Sequence, residues 1–437
     1  AAQAFVQDCA ALFSIQHHRV SCEDLLNAQI QPISWWLSGI TTLSDWLGSN
    51  QQYFKFCRDR MSLPDYWKKH ALPQAERALA QTSLLPAAAA QQDFYHLFPH
   101  IRQATPLQQH CLDLQMPTSP QLFILEDLTG AGKTEAALAL TQRLMAAGQA
   151  QGFYFALPTM ATSNAMFERI GEVYRQFFSQ PVSCILAHSL GWLKTQPQQT
   201  SIWPEDEQSA LDYQSGEQDT ASAQVNRWFQ DNRKKALLAH VGVGTIDQAL
   251  LAILHSRHNT LRLLGLHGKV LLVDEVHACD AYVLSLLEKL LYFHAYAGGS
   301  AILLSATLPQ TQRQRLITAY RQGREKNTGQ SYAAMMKKQD YPLLTQFGEQ
   351  VSGHLQETFL AISARQQHKG FRIHHVSTDA GVLAHLRQGQ AHCACWIRNT
   401  VKDALLAYQQ LLAAGFEEDK LHLFHARFTP PDRERKE

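Results

Sequence analysis

Leu122-Phe123-Ile124-Leu125, then Leu128-Thr129-Gly130-Ala131-Gly132-Lys133-Thr134, then a helical pattern of Ala and Leu: this stretch decides the fold. An apolar run that ends in a Gly-rich turn and restarts as a helix reads as strand, phosphate loop, helix. Backbone N–H groups in such a turn approach a phosphate chain closely, and the helix N-terminus favours negative charge there. Lys133 is then expected to reach the outer phosphates, and the Thr134 hydroxyl to hold magnesium. Asp127 stands where the loop consensus has glycine. An acid is unfavourable beside phosphates, so Asp127 is expected to point away and pair elsewhere.

About 140 residues downstream, Val270-Leu271-Leu272-Val273 forms a second apolar run followed by Asp274-Glu275-Val276-His277. A strand ending there sets Asp274 beside the metal and Glu275 beside the water that attacks ATP. Taken alone, the first motif also fits an ordinary strand-to-helix loop and the second a solvated strand edge. Together they read as a nucleotide-driven motor that uses ATP and Mg.

Further apolar runs at 153–157, 184–187, 236–239 and 301–304 alternate with helical stretches. Strands alternating with helices imply crossovers and a mainly parallel sheet, an α/β lobe spanning 116–320. Residues 1–70 read as an all-α segment with a Trp-rich stretch from Trp35 to Trp46, and 71–115 as a helical connector. Residues 195–224 read as a polar surface loop. Residues 321–368 read as a linker, and 369–437 as a second α/β unit with strands at 370–377, 393–397 and 422–424.

At 437 residues the chain exceeds one ordinary core. Lys and Arg total 39 against 38 Asp and Glu, so any nucleic-acid surface must be local. No apolar stretch reaches membrane-spanning length, which points to a cytoplasmic protein with no membrane partner. The eight cysteines are scattered, and Cys393 and Cys395 lack the spacing of a zinc ribbon or redox pair.

Thr105-Pro106-Leu107-Gln108 lies upstream of the loop. A glutamine there reads the adenine edge in many helicases, although Pro-initiated helix capping explains the same four residues. Pro158-Thr159 and Gly244-Thr245 follow strands, where hydroxyls and helix N-termini hold a strand's phosphates; capping is the alternative for both threonines. Asn232-Arg233-Lys234-Lys235 and His255-Ser256-Arg257-His258 read as solvated faces, with the border of a groove as the alternative for either. Ser305-Ala306-Thr307 ends the last strand of the lobe and is expected to link the nucleotide pocket to movement of the second unit.

In order, these motifs resemble those of a superfamily-two DExH helicase. The stretches Asp231-Asn232-Arg233-Lys234-Lys235-Ala236-Leu237-Leu238, Val243-Gly244-Thr245-Ile246-Asp247-Gln248-Ala249-Leu250 and Asp274-Glu275-Val276-His277-Ala278 look like the CRISPR-associated helicase–nuclease of type I interference. So do Cys395-Trp396-Ile397-Arg398-Asn399-Thr400-Val401 and Phe424-His425-Ala426-Arg427-Phe428. The variant it most resembles serves the Cascade complex. The resemblance implies two RecA-like lobes, ATP-driven 3′-to-5′ movement on single-stranded DNA, recruitment to a Cascade R-loop and degradation of the displaced strand. Arg398, Asn399 and Thr400 are then expected to contact DNA.

In that family an HD-type nuclease domain, which uses divalent transition metal, precedes the helicase. No His-Asp dipeptide occurs here, and Ser44-Asp45-Trp46-Leu47-Gly48-Ser49 resembles only the end of such a domain, with Asp45 as its last ligand. His17-His18 reads as a solvated pair. The chain also stops at Glu437 before any Gln-x-x-Gly-Arg-x-x-Arg pattern. That pattern carries the family's arginine fingers, and Arg427 is the nearest candidate. A fragment with nucleotide binding and little turnover is the expectation. The alternatives are a DExH RNA helicase and a non-catalytic nucleotide-binding docking module.

Overall fold

A computed structural model describes residues 2–13, 30–51, 53–82, 84–116, 118–171, 173–179, 182–187, 237–256, 258–324, 341–348, 355–362, 373–388, 393–429 and 432. They belong to two compact units, Ala1–Gln367 and His368–Glu437.

The first unit opens with helices α1 (Ala2–Leu12) and α2 (Ile30–Gly48). Helix α3 runs from Leu63–Tyr66 through a π turn, Trp67–Ala71, into Leu72–Thr82. Its start is written in the sequence: the Ser62 hydroxyl accepts from the Asp65 N–H, and Pro64 sits in the first turn. Short helices α4 (Phe94–Leu97) and α5 (Pro106–Asp113) lead to the sheet.

The sheet has eight strands: β1 (Leu122–Glu126), β2 (Gly152–Leu157), β3 (Cys184–Ala187), β4 (Val241–Thr245), β5 (Lys269–Val273), β6 (Ala301–Ser305), β7 (Leu343–Phe347) and β8 (Leu355–Phe359). Their order is β3-β4-β2-β5-β6-β1-β7-β8. The six strands from β3 to β1 are parallel, while β7 and β8 add antiparallel pairs. Helices α6 (Lys133–Ala146), α7 (Met160–Gly171), α8 (Ile246–Leu250), α9 (Asn259–Leu266), α10 (Ala281–Tyr296) and α11 (Gln310–Arg324) follow individual strands or connect them.

Side chains alternate across a strand, so a sheet with helices on both faces needs apolar residues at every position. Phe123, Leu125, Phe153 and Phe155 pack on one face with Leu140 of α6. Leu122, Ile124, Tyr154 and Ala156 pack on the other with Leu287 and Leu290 of α10. This is the expected α/β lobe.

Two expectations about its elements need correction. The strand expected at 236–239 forms instead as β4, and Leu237 and Leu238 are helical. Ala and Leu are good helix formers, whereas Val241, Val243 and Thr245 are β-branched and suit a strand. The segment 321–368, expected as a linker, carries the end of α11 and both antiparallel strands.

The second unit holds α12 (Asp379–Gln388) and α13 (Val401–Ala413). The strands expected there at 370–377, 393–397 and 422–424 form no ladder among the described residues. Ala407 is the one buried hydrophobic residue among those described in this unit, and strands without a shared apolar face gain little by pairing.

Candidate functional site

Parallel strands all end at one edge, and ligands of open α/β sheets sit in the crevice outside those carboxyl ends. The register makes the motifs neighbours there. Glu126 pairs with Ser305 across β1 and β6, and Ala156 pairs with Val273 across β2 and β5. The Asp127 N–H donates to the Ser305 carbonyl at 3.3 Å, and the Asp274 N–H to the Ala156 carbonyl at 2.9 Å.

The loop after β1 needs two left-handed residues, Gly130 (φ 79°) and Gly132 (φ 84°). Leu128, Thr129 and Gly130 are exposed, so the loop's outer face is open to a ligand. Behind it, α5 acts as a clamp. Thr105 and Gln108 form a capping box, with the Gln108 Oε1 accepting from the Thr105 N–H at 2.9 Å. The Thr105 hydroxyl donates to the Ala131 carbonyl at 3.1 Å, and the Gln108 Nε2 to the Gly132 carbonyl at 3.2 Å. Gln108 is only 2% exposed. This differs from the adenine-reading role expected of it, because the amide is turned onto the phosphate loop.

Asp127, expected to pair away from the loop, is buried and caps the loop's own first residue. Its Oδ1 accepts from the Leu128 N–H at 2.7 Å, and burial raises its pKa against the pull of that N–H and of Lys133. Lys133 opens α6, and its Nζ donates to the carbonyls of Asp127 at 2.6 Å and Leu128 at 3.0 Å. Burial lowers its pKa, opposed by the carboxylates of Glu275, Asp274 and Asp127. Thr134 follows at the second position of the helix, half-buried.

Burial also raises the pKa of Asp274, whose Oδ1 accepts from the Glu275 N–H at 2.8 Å. Glu275 lies in the left-handed region at φ 53°, where a non-glycine residue is strained. His277 Nδ1 is 3.2 Å from Glu275 Oε2 and 3.2 Å from Ser305 Oγ. The Ser305 hydroxyl donates to the Thr307 carbonyl at 2.9 Å, and the Ala306 N–H lies 3.4 Å from His277 Nδ1. The Asp-Glu-x-His turn and the Ser-Ala-Thr segment therefore share one hydrogen-bonded cluster.

Two ion pairs beside the loop were not foreseen. Glu135 of α6 is buried and pairs with Arg169 of α7, an arginine that also feels the charge of Asp274. Arg313 of α11 is buried with its guanidinium 2.6 Å from Glu126 Oε2 and 3.5 Å from Glu357 Oε1 on β8. Glu126 Oε1 also accepts from the Leu308 N–H at 3.0 Å. A Glu adjoining a strand-to-loop junction offers only a faint sequence signal, since its partner lies 187 positions away.

The residues expected to touch DNA are less uniformly exposed. Thr159 is exposed and exchanges hydrogen bonds with Thr162, whose N–H donates to the Thr159 hydroxyl at 3.2 Å. Pro158 is half-buried, while Gly244 and Thr245 end β4 inside the sheet, with Thr245 7% exposed. In the second unit Arg398 pairs with Asp379 at 2.8 Å and lies over the Trp396 ring, and Asn399 is exposed. The Thr400 hydroxyl accepts from the Asp403 N–H at 3.1 Å, capping α13. Asn232, Arg233, Lys234, Lys235 and the 195–224 insertion lie outside the described residues, as do His17, His18 and Arg257.

The donor sets differ in their fit to metals. The open loop, Lys133, Thr134 and Asp274 suit a magnesium-bound phosphate chain. Asp45 is exposed on α2, and no group of three His, Cys, Asp or Glu residues able to hold a metal occurs among the described residues. Asp45, expected as the last ligand of an incomplete HD site, has no imidazole and carboxylate ligands gathered round it from other helices among the described residues.

Comparison with known proteins follows the same division. Residues 1–54 match the model of the Cas3 HD domain, and residues 390–437 that of the C-terminal part of the CRISPR-associated nuclease/helicase Cas3. The chain is 34% identical over 415 residues to the CRISPR-associated endonuclease/helicase Cas3 of Escherichia coli K12, covering 92% of this chain and 44% of that protein. It resembles the T. fusca Cas3-ATP structure with a TM-score of 0.73 and 29% identity, covering 93% of this chain and 45% of that one. It also resembles a chain in a structure described as a CRISPR RNA-guided surveillance complex, pre-nicking (TM-score 0.57, 26% identity, 87% of this chain and 39% of that one). The chain spans less than half the length of these relatives. Its match to Cas3 models at both ends, and to Cas3 relatives along nearly all of its length, means that the chain belongs to the Cas3 nuclease/helicase family.

Proposed function

We propose that this chain carries the ATP-binding core of a 3′-to-5′ single-stranded DNA translocase in type I CRISPR interference, recruited in the cytoplasm by a Cascade surveillance complex to degrade target DNA. The observation that carries the reading is the convergence of Lys133, Asp274 and Glu275 at one edge of the sheet, each held by its own backbone partners. The family relationship supports the rest, with one structurally similar relative described with ATP and another within a CRISPR RNA-guided surveillance complex.

In this reading Thr129, Gly130, Ala131, Gly132 and Lys133 cradle the phosphates, and Gln108 with Thr105 holds the loop in shape from behind. Thr134 and Asp274 would hold the magnesium ion, which when bound neutralises charge on the phosphate oxygens. Glu275 positions the attacking water, and its link through His277 to Ser305, Ala306 and Thr307 connects hydrolysis to the last parallel strand. Pro158, Thr159, Gly244, Thr245, Arg398, Asn399 and Thr400 track the strand through its backbone. Transition-metal nuclease chemistry is assigned to no described residue.

The test is ATP binding and turnover by the 437-residue chain, with and without single-stranded DNA, using Lys133→Ala as the blank. Magnesium-dependent ATP binding lost in the blank is the expected result, and DNA-stimulated turnover lost with it establishes the motor. ATP binding unchanged by Lys133→Ala overturns the site. Stimulation by RNA and not by DNA would move the reading to an RNA helicase.

A further inference from the structure

Away from the sheet edge, the segment that joins α2 to α3 folds against α3 and leaves a concave pocket of about 570 Å³. Lys55, Arg58, His70 and Arg77 line it, with Asp59 as its one carboxylate and Phe56 on its rim. Over residues 55–77 six Lys and Arg stand against three Asp and Glu, in a chain whose net charge is only +1. Charge is therefore concentrated here. Among the described residues neither Lys55 nor Arg58 nor Arg77 forms an ion pair, whereas the neighbouring Lys69 is neutralised by Asp65 at 3.0 Å.

Phe56 is 87% exposed. A phenyl ring that contributes nothing to the core, beside three unpaired cations, is the pairing of features that binds unwound nucleic acid: cations for phosphates and a ring on which a base stacks. The backbone beneath is specialised as well. The π turn Trp67–Ala71 interrupts α3 and carries His70, whose ring stacks on Tyr66 at 5.9 Å. Such turns recur at functional sites, because the extra residue redirects side chains. The Gln74 Oε1 accepts from the Lys55 N–H at 2.8 Å, and the Arg77 Nε donates to the Pro73 carbonyl at 3.1 Å, so the floor is pinned.

We propose that this pocket is a second, sequence-independent binding site for single-stranded nucleic acid, which seats one base on Phe56 and its flanking phosphates on Lys55, Arg58 and Arg77. It rests on the reading of the chain as a single-strand translocase, but uses none of the residues assigned there to the strand's backbone. The occupant is recognised by phosphate and a π-face, features that DNA and RNA single strands share.

The experiment is fluorescence anisotropy of oligonucleotides of about twelve residues, dT and rU in separate arms. The full chain is compared with Phe56→Ala and with the charge-neutral Lys55→Gln/Arg58→Gln variant. All three changes fall on exposed side chains, so the fold has no reason to fail, and binding of a fluorescent ATP analogue verifies this for each preparation. The expected results are about tenfold weaker binding for Phe56→Ala and a shallower salt dependence for the double variant. A 5-iodouracil oligonucleotide should cross-link within residues 53–59. Equal binding of both strands marks shared backbone-and-stacking recognition, whereas complete selectivity for one strand overturns it. If the parent binds oligonucleotide but neither variant weakens it and the cross-link maps elsewhere, the pocket is wrong and the translocase reading stands. If ATP binds but no oligonucleotide does, both are wrong.

Discussion

Gln108 and Gly132 occupy each other's space. The Gln108 Nε2 donates to the Gly132 carbonyl at 3.2 Å, and a Cβ on Gly132 would lie 2.1 Å from that nitrogen. Gly132 also sits at φ 84°, where an L side chain costs about 1–2 kcal/mol. Gly132→Ala should therefore weaken ATP-analogue binding at least about tenfold by distorting the loop. Adding Gln108→Ala removes the clash but not the backbone strain, so the double variant should recover only part of the loss. Full affinity in Gly132→Ala, read by titration, would show that this loop does not cradle phosphate.

Glu275 makes a second prediction because its backbone is strained at φ 53°. Strain of this kind costs about 1–3 kcal/mol, and glycine relieves it. Glu275→Gly should raise stability to urea by about 1 kcal/mol while abolishing turnover. Glu275→Gln should keep the strain and the ATP binding and lose turnover alone. A Glu275→Gln variant of the full-length protein that hydrolyses ATP at the parent rate removes Glu275 from the reaction.

Arg313 faces two carboxylates in a buried setting, Glu126 at 2.6 Å and Glu357 at 3.5 Å. Removing the arginine strands both acids. Arg313→Met should cost about 3–5 kcal/mol in urea unfolding. The triple variant Arg313→Met/Glu126→Gln/Glu357→Gln should recover most of that, because no buried charge remains. If Arg313→Met alone costs under about 1 kcal/mol, the pairs are too hydrated to hold β8 against the loop strand.

The parallel lobe was legible because its signals are local. Runs such as 122–125 and 270–273 are apolar, bounded by turns, and adjoin motifs that demand a strand end. The helix clamp was half-legible: Thr105 and Gln108 have capping-box spacing, but their grip on Ala131 and Gly132 is a contact between separate elements. What sequence reasoning missed has no local signature. Strand β7 is a short run after Tyr341-Pro342, and its pairing with β1 spans more than 200 positions. The Arg169–Glu135 and Arg313–Glu126 pairs look in sequence like ordinary charges on helices. Only burial distinguishes them.

His294 provides a pH test independent of the nucleotide site. It is buried on α10, its Nε2–H donates to the Ser300 carbonyl at 3.0 Å, and its pKa is lowered to about 4. Burial is the main cause, and His267 adds to it, while the Ser300 bond works the other way. A histidine whose folded pKa is depressed stays neutral in the native state over a pH range in which the unfolded chain binds a proton. Its stabilisation is therefore complete above about pH 6.5 and lost as pH falls towards 4. The limit for the drop is about 3 kcal/mol, from the separation of the folded and unfolded values. His294→Gln keeps an N–H for Ser300 and cannot titrate. Urea unfolding of parent and variant at matched pH cancels the carboxylates they share. The parent should lose more stability than His294→Gln between pH 7 and 4, with the difference opening below about pH 6.5. Parallel curves would mean that His294 takes up its proton in the folded chain as readily as in the unfolded one, and that burial does not hold it neutral.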